Sequence, residues 1–216
     1  PGYREQAPLE KLVASWHADG IRAVYAAAWH FYPRWQYDYD TLIRLCHERG
    51  IAVYAWFELP QVSERLWVAF PEWREKTVTG KDGQVGWRKQ MNLANRDCRQ
   101  AALDFFEELL TKHDWDGVNI AELSFDTGDG LLDPDKYVPM NRDVREDFRR
   151  QAGFDPIRLF DGASPLYWRR NGKALEKWET YRTRLLNGWM VEFLDRVSRV
   201  RRTRSLDCIV TSLDSL

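Results

Sequence analysis

Four segments of the chain share one pattern, in which an amphipathic helical stretch is followed by a short, continuously apolar run. The helical stretches are predicted at residues 8–20, 39–50, 95–114 and 173–202, and the apolar runs at 21–29, 51–59, 115–123 and 206–214. Apolar runs of this length that alternate with helices are typical of parallel strands covered on both faces. The pattern therefore predicts an α/β protein with about four parallel strands.

Two architectures place such units side by side, a doubly wound open sheet and a (β/α)8 barrel. The junctions DGIRAVYAAAW and RGIAVYAWFEL are alike in composition, which indicates a repeated helix–strand unit. A barrel normally needs about 250 residues, whereas the chain has 216. The chain begins on a helical pattern and stops on a strand pattern. We therefore expect residues 1–216 to form one (β/α) barrel domain that is incomplete at both ends.

The longest connecting segments follow the carboxyl ends of predicted strands. They are residues 59–92 and 123–171, whereas the returns from helix to strand are short and often consist of a single glycine. In barrels, the loops after the strands build the active site, and the opposite face is structural. The predicted functional face is therefore the one at the carboxyl ends of the strands.

Acidic residues end two of the predicted strands, Glu58 the second and Glu122 the third. The transfer of a carboxylate out of water costs several kcal/mol unless the group is paired with a cation or has a functional role. Neighbouring parallel strands lie about 4.8 Å apart, so these two groups are expected to share one mouth. Glycosidic cleavage requires such a pair, one carboxyl protonated and one ionised. We predict Glu122 as the general acid, with Glu58 or Asp126 as nucleophile or base.

Each acidic residue also has a structural interpretation. In the structural interpretation, Glu58 or Glu122 has no catalytic role and only forms an ion pair with an arginine such as Arg88. Asp126 and Asp129 lie in FDTGDGLLD, where aspartate and glycine are also ordinary turn residues. The turn interpretation is the stronger one for Asp129, and both interpretations stay open for Asp126.

The aromatic content of 14%, with 11 tryptophans, is high. A tryptophan ring suits both a large core and the apolar face of a sugar. Those inside predicted helices, Trp16, Trp178 and Trp189, are predicted to be core. The predicted substrate-binding set lies at strand ends or in the loops after them, and consists of Trp29, His30, Tyr32, Trp56, Trp87 and Arg88. His30 either binds a sugar hydroxyl or caps the barrel.

Charge and composition narrow the function classes. The net charge of −1 shows no excess of positive charge that would predict binding to nucleic acid. No apolar run approaches the roughly 18 residues of a membrane span. The three cysteines, Cys46, Cys98 and Cys208, are predicted to be buried free thiols, and no metal or other cofactor is predicted. The arginine-rich stretch 196–204 is predicted to be the solvated end of a helix.

The ordered segments GIAVYAWFELP, FPEW, MNLANRDCRQAALDFFEELLTKHDWDGVNIAE and DFRRQAGFDP resemble glycosyl-hydrolase-like family 10 and related glycosidase barrels of bacteria. The resemblance covers roughly residues 8–214, and its most specific parts are Asn92, Asn95 and Arg99 and the step Asp116–Gly117. It implies a (β/α)8 barrel that acts on a polysaccharide or oligosaccharide, is extracellular or associated with the cell envelope, and carries carboxylates at the end of the third strand.

The chain departs from the family pattern at these carboxylates. The family commonly has Asp-Tyr where this chain has Ala121 and Glu122, and Asn where this chain has Glu58. Since alanine has no acid to offer, Glu122 remains the predicted acid. Two alternative functions stay open. One is a non-catalytic carbohydrate-binding barrel in which the carboxylates only bind sugar hydroxyls, and the other is an interaction domain whose tryptophan-rich mouth binds a protein.

Overall fold

The computed structural model describes residues 8–29 and 38–212. Its helices and strands are, in chain order, α1 (Leu9–Ala18), β1 (Ala23–Ala27), α2 (Tyr39–His47), β2 (Ala52–Glu58), α3 (Glu64–Ala69), β3 (Gln84–Val85), β4 (Arg88–Lys89), α4 (Arg96–Lys112), β5 (Gly117–Ala121), α5 (Arg142–Ala152), α6 (Gly172–Val200) and β6 (Asp207–Thr211). The predicted helix–strand pairs correspond to α1–β1, α2–β2, α4–β5 and α6–β6. The remaining elements fall in segments for which the sequence predicted only loops.

The chain divides into two compact units. Unit 1 consists of residues 1–60, 103–122 and 193–216, and unit 2 of residues 61–102 and 123–192. The long segments that follow β2 and β5 thus supply most of unit 2, while unit 1 contains the four-stranded sheet.

All four strands of the sheet in unit 1 are parallel, in the order β1-β2-β5-β6. This confirms the predicted parallel α/β fold, which is consistent with part of a (β/α)8 barrel. Within the described part of the chain, β1 and β6 are the edges of this sheet.

The two faces of the sheet differ in burial. Along β2, Val53, Ala55 and Phe57 are buried, while the residues between them are partly exposed. The ring of Phe57 lies 4.7 Å from that of Phe106 in α4 and 5.7 Å from that of Phe193 in α6. Helices therefore cover one face. The other face is more open than the apolar runs predicted, and in a closed barrel it would be the interior.

Asp116 links the amino ends of the two central strands, β2 and β5. Its carboxylate accepts the backbone N–H of Val53 at 2.6 Å and lies 2.9 Å from Nε2 of His47. The backbone N–H of Asp116 also donates to the carbonyl of Val53. The Asp-Gly step of the sequence thus begins with a carboxylate that fixes β5 against β2.

The arginine-rich stretch is only partly a solvated helix end. Helix α6 ends at Val200, but Arg196 pairs with Glu107 at 2.9 Å. The guanidinium of Arg204 donates to the carbonyls of His113 and Trp115 at 2.7 and 2.6 Å. The prediction is therefore wrong for Arg196 and Arg204, because carbonyls and a carboxylate distant in sequence take up their charge.

Unit 2 has its own hydrophobic core, built mainly from α5 and α6. Its buried members are Tyr137, Met140, Val144, Phe148, Phe154, Leu159, Ala174, Trp178 and Tyr181. The indole N–H of Trp178 donates to the hydroxyl of Tyr137 at 3.1 Å. The predicted burial of Trp178 and Trp189 is confirmed, whereas Trp16, also predicted to be core, is only partly buried. All three cysteines are free. Cys46 and Cys98 are buried, but Cys208 is only partly buried, so the predicted burial is wrong for Cys208.

Glu75 is a buried carboxyl group in unit 2. It is 2% exposed, and its Oε1 has no hydrogen-bond partner among the described residues. Burial, together with the charge of Asp143, raises the pKa of Glu75 well above its ordinary value. The folded protein thus holds the proton of Glu75 at a pH at which the unfolded chain has released it.

This linkage predicts a pH-dependent stability. As the pH rises above the unfolded pKa of about 4.3, only the folded state keeps the proton, so the free energy of unfolding falls. Glu75→Gln removes the titrating group, and we expect its melting temperature to rise relative to that of the native chain between about pH 5 and pH 8. The matched control is Glu72→Gln, at an exposed position of the same segment. Parallel curves of melting temperature against pH for Glu75→Gln and the native chain would contradict the prediction.

Candidate functional site

The carboxyl edge of the sheet in unit 1 carries two acidic residues. Glu58 is the last residue of β2 and pairs in register with Ala121, the last residue of β5. Glu122 follows Ala121 directly. The two residues therefore stand at the ends of neighbouring parallel strands, at the same edge of the sheet.

The backbone at this edge adopts an unusual conformation. Among the described residues, the non-glycine positions with positive φ are Leu59, at +47°, and Glu122, at +61°. Each follows the end of one of these two strands, and each is held by its backbone N–H. Leu59 donates to the carbonyl of Ala121, and Glu122 to that of Thr211, both at 2.9 Å.

Left-handed backbone outside glycine costs about 1–3 kcal/mol and persists only where the surroundings enforce it, often at active sites. It also affects the predicted acid, Glu122, which lies one step after Ala121. In a regular strand, one step reverses the face to which a side chain points. The strand ends at Ala121, and the left-handed backbone of Glu122 does not continue its alternation.

Polar and aromatic residues extend back from Glu58 along the open face. Trp56 and Tyr54 precede Glu58 at steps of two, and in register Trp56 lies between Ala27 and Asn119. The hydroxyl of Thr211 donates to Oδ1 of Asn119 at 3.1 Å. Trp56 thus offers a partly exposed ring on the face that ends in Glu58.

Tyr54 and Asp207 form a second polar contact on this face. The hydroxyl of Tyr54 donates to the carboxylate of Asp207 at 2.8 Å, and this hydrogen bond raises the pKa of Tyr54. Sequence reasoning missed Tyr54, Asn119, Asp207 and Thr211. The two-residue alternation back from Glu58 could have indicated Tyr54, but the others depend on the strand register.

The remaining predicted residues of unit 1 have different placements. Trp29 is buried, and its ring lies 4.7 Å from that of Phe57 and 5.1 Å from that of Phe105. It therefore packs on the side of the sheet that the helices cover. His30 and Tyr32 lie outside the described residues.

Trp87 and Arg88 lie on the β3–β4 hairpin of unit 2. The turn places Gly86 at φ +59°, and the side chain of Gln84 donates to its carbonyl at 2.8 Å. Trp87 is 49% exposed. The ion pair of Arg88 is with Asp126, at 2.9 Å between Nε and Oδ2.

Asp126 is fixed at its main chain as well as at its side chain. The amide of Gln90 donates to the carbonyl of Asp126 at 2.7 Å and accepts its N–H at 3.1 Å. Oδ1 of Asp126 accepts the N–H of Gly128 at 3.3 Å, which is the turn contact expected for aspartate. Asp129 is exposed and precedes the short 3-10 helix Gly130–Leu132.

No protein-family model and no curated protein matches the sequence. Solved structures with a similar fold include a cold-adapted β-galactosidase from Rahnella sp. R3, with a TM-score of 0.70 and 11% identity over 96% of this chain and 33% of that one. The PgaB (BpsB) glycoside hydrolase domain from Bordetella bronchiseptica gives a TM-score of 0.61 and 16% identity over 94% and 58%. The α-L-fucosidase isoenzyme 2 from Paenibacillus thiaminolyticus gives 0.62 and 13% over 93% and 29%.

These likenesses define the class of fold. The chain has an α/β fold shared with parts of several glycoside hydrolases, and it spans between 29% and 58% of the length of these three structures. At such identities the likeness concerns the fold alone. In the described part of the chain, no helix combines the length and apolarity needed to cross a bilayer.

Proposed function

We propose that the chain is part of a glycoside hydrolase barrel that cleaves a polysaccharide or oligosaccharide at the carboxyl edge of its sheet. The observation that carries the proposal is the placement of Glu58 and Glu122 at the ends of adjacent parallel strands, at one edge. The fold shared with known glycoside hydrolases supports it. The proposal includes membership of glycosyl-hydrolase-like family 10, an extracellular or envelope location, and the assignment of residues 1–216 to one such barrel domain.

The proposed mechanism divides the chemistry between two carboxyl groups. Glu122 in its acid form protonates the glycosidic oxygen, so that the leaving sugar departs as a neutral alcohol. Glu58 in its ionised form attacks the anomeric carbon or removes a proton from the attacking water. Asp126 is the alternative for the second role. Because the carboxylate of Asp126 already contacts Arg88 and the N–H of Gly128, Glu58 is the preferred residue for this role.

Binding is assigned to aromatic and polar side chains. Trp56 lies two residues before Glu58 on the same face, where its ring would stack on the apolar face of a sugar. Trp29 is left out of this set, because it is buried against Phe57. His30 and Tyr32 belong to the proposed substrate-binding set by their sequence position after β1, and Trp87 and Arg88 by theirs on the hairpin.

The test is product formation from a panel of soluble polysaccharides, measured as released reducing ends. Release by the native chain, with none from a Glu58→Gln, Glu122→Gln double variant, would support the proposal. Binding without any release would instead favour the non-catalytic carbohydrate-binding protein. If no glycan binds and a protein partner is recovered, the tryptophan-rich mouth is a protein-interaction site and the proposal is wrong.

A further inference from the structure

Two buried polar atoms of unit 2 face each other without a hydrogen bond. Nε of Arg88 and Oδ2 of Asp126 are 2.9 Å apart, yet neither has a hydrogen-bond partner among the described residues, and both are buried. The contact is thus an ion pair whose N–H does not point at the oxygen. Native proteins leave few buried polar groups without a hydrogen-bond partner, and each such group calls for a physical explanation.

The position of Asp126 is enforced by a side chain distant in sequence. Gln90 is 1% exposed, and its amide forms two hydrogen bonds with the main chain of Asp126. Gln90 is itself fixed, because its N–H donates to the carbonyl of Gly83 and its carbonyl accepts the N–H of Glu75, both at 2.9 Å. The incomplete contact between Arg88 and Asp126 therefore lies where hydrogen bonds of Gln90 hold the main chain in place.

The charges of this pair favour a neutral ligand. The side chain of Arg88 remains 37% exposed and that of Asp126 16%, so atoms of each side chain other than the buried Nε and Oδ2 reach the surface. An anion would be attracted by the guanidinium and repelled by the carboxylate beside it. A hydroxyl both donates and accepts, so two neighbouring hydroxyls match a carboxylate and a guanidinium held side by side.

We propose that Arg88 and Asp126 form a subsite for two adjacent hydroxyls of a neutral pyranose, and that Gln90 is a positioning residue that holds Asp126 there. The inference rests on the proposed carbohydrate function and deepens it, because it assigns Asp126 to binding and names neutral sugars as the ligand class. It concerns unit 2 alone.

The test is calorimetric titration of the whole 216-residue chain with neutral hexasaccharides of glucose, mannose and N-acetylglucosamine, and with a hexamer of galacturonate as the anionic probe. We expect at least one neutral hexasaccharide to bind. Asp126→Asn and Arg88→Gln should each raise its Kd about tenfold or more, because each removes a charged hydrogen-bonding group. The matched control Asp129→Asn makes the same change at an exposed residue and should leave the Kd unchanged.

Variants at Gln90 test positioning. Gln90→Leu removes both contacts with Asp126 and should raise the Kd by a similar factor. Gln90→Glu keeps an acceptor for the N–H of Asp126 and should recover part of the affinity. A lower melting temperature for Gln90→Leu with an unchanged Kd would show a merely structural role and overturn that assignment.

Three results would overturn the subsite: no binding of any neutral hexasaccharide, binding of the galacturonate hexamer alone, or equal Kd values for Asp126→Asn and Asp129→Asn. Catalysis is scored separately by release of reducing ends. Hydrolysis that depends on Glu122, with binding insensitive to Asp126, rejects the subsite alone. Binding that depends on Asp126, without hydrolysis by the native chain, rejects the catalytic proposal alone.

Discussion

Glu122→Gln is expected to lower kcat for glycan hydrolysis by about 10²–10⁴-fold, the usual contribution of a general acid. Glutamine keeps the size of the side chain but has no proton to give to the leaving oxygen. Because the backbone N–H of residue 122 still donates to the carbonyl of Thr211, the melting temperature should stay nearly unchanged. The measurements are release of reducing ends and thermal unfolding of the same preparations.

Glu122→Gly separates the acid from the strain of its backbone. Residue 122 has φ +61°, which glycine adopts without steric cost. We expect this variant to be equally inactive and more stable than the native chain by about 1 kcal/mol. The control is Glu72→Gln, which removes an exposed carboxylate from unit 2. Hydrolysis that survives in both Glu122 variants would contradict the role of Glu122 as acid.

The sequence predicted those parts of the fold that short-range patterns encode. The apolar runs located β2 and β5, and with them the ends at Glu58 and Glu122, because a strand in the interior of a parallel sheet is apolar over several consecutive residues. Parallel pairing then follows from the intervening helices. The placement of two carboxylates at one edge of the sheet thus needed no knowledge of side-chain contacts.

The interior of the long segments could not be predicted in this way. In α5, RDVREDFRRQA, only Val144 and Phe148 are buried, so charged residues conceal a helix that closes the core of unit 2. The contact of Gln90 with Asp126 joins residues 36 positions apart, and no local pattern marks it. The same holds for Arg204, whose guanidinium binds carbonyls about 90 positions earlier in the chain.

The glycine of the Asp116–Gly117 step has a steric role in the sheet that the sequence does not reveal. In the sequence the Asp-Gly step is only a motif, whereas in the sheet its glycine has a steric reason. A Cβ atom at residue 117 would lie 2.5 Å from Cδ1 of Tyr54 and 2.9 Å from Cβ of Asp207. The ring of Tyr54 therefore passes over the position of the missing side chain to reach Asp207.

Gly117→Ala is expected to destabilise the protein by about 1–3 kcal/mol, the usual cost of overpacking. The added methyl group must displace the ring of Tyr54, which breaks its hydrogen bond with Asp207. The measurement is denaturant unfolding, with Gly162→Ala as control, because a Cβ atom there would meet nothing within 4 Å. An equal effect at both glycines would contradict the steric argument.

A double-mutant cycle then identifies the partner of the clash. Tyr54→Ala removes the ring, so adding Gly117→Ala to it should cost much less than adding Gly117→Ala to the native chain. Tyr54→Phe keeps the ring and loses only the hydrogen bond, so the steric part of the cost should return. If the cost of Gly117→Ala is the same in all three backgrounds, the clash is with Asp207 or the backbone. Relief in Tyr54→Ala alone would show that the glycine is required by an aromatic side chain on the face that ends in Glu58.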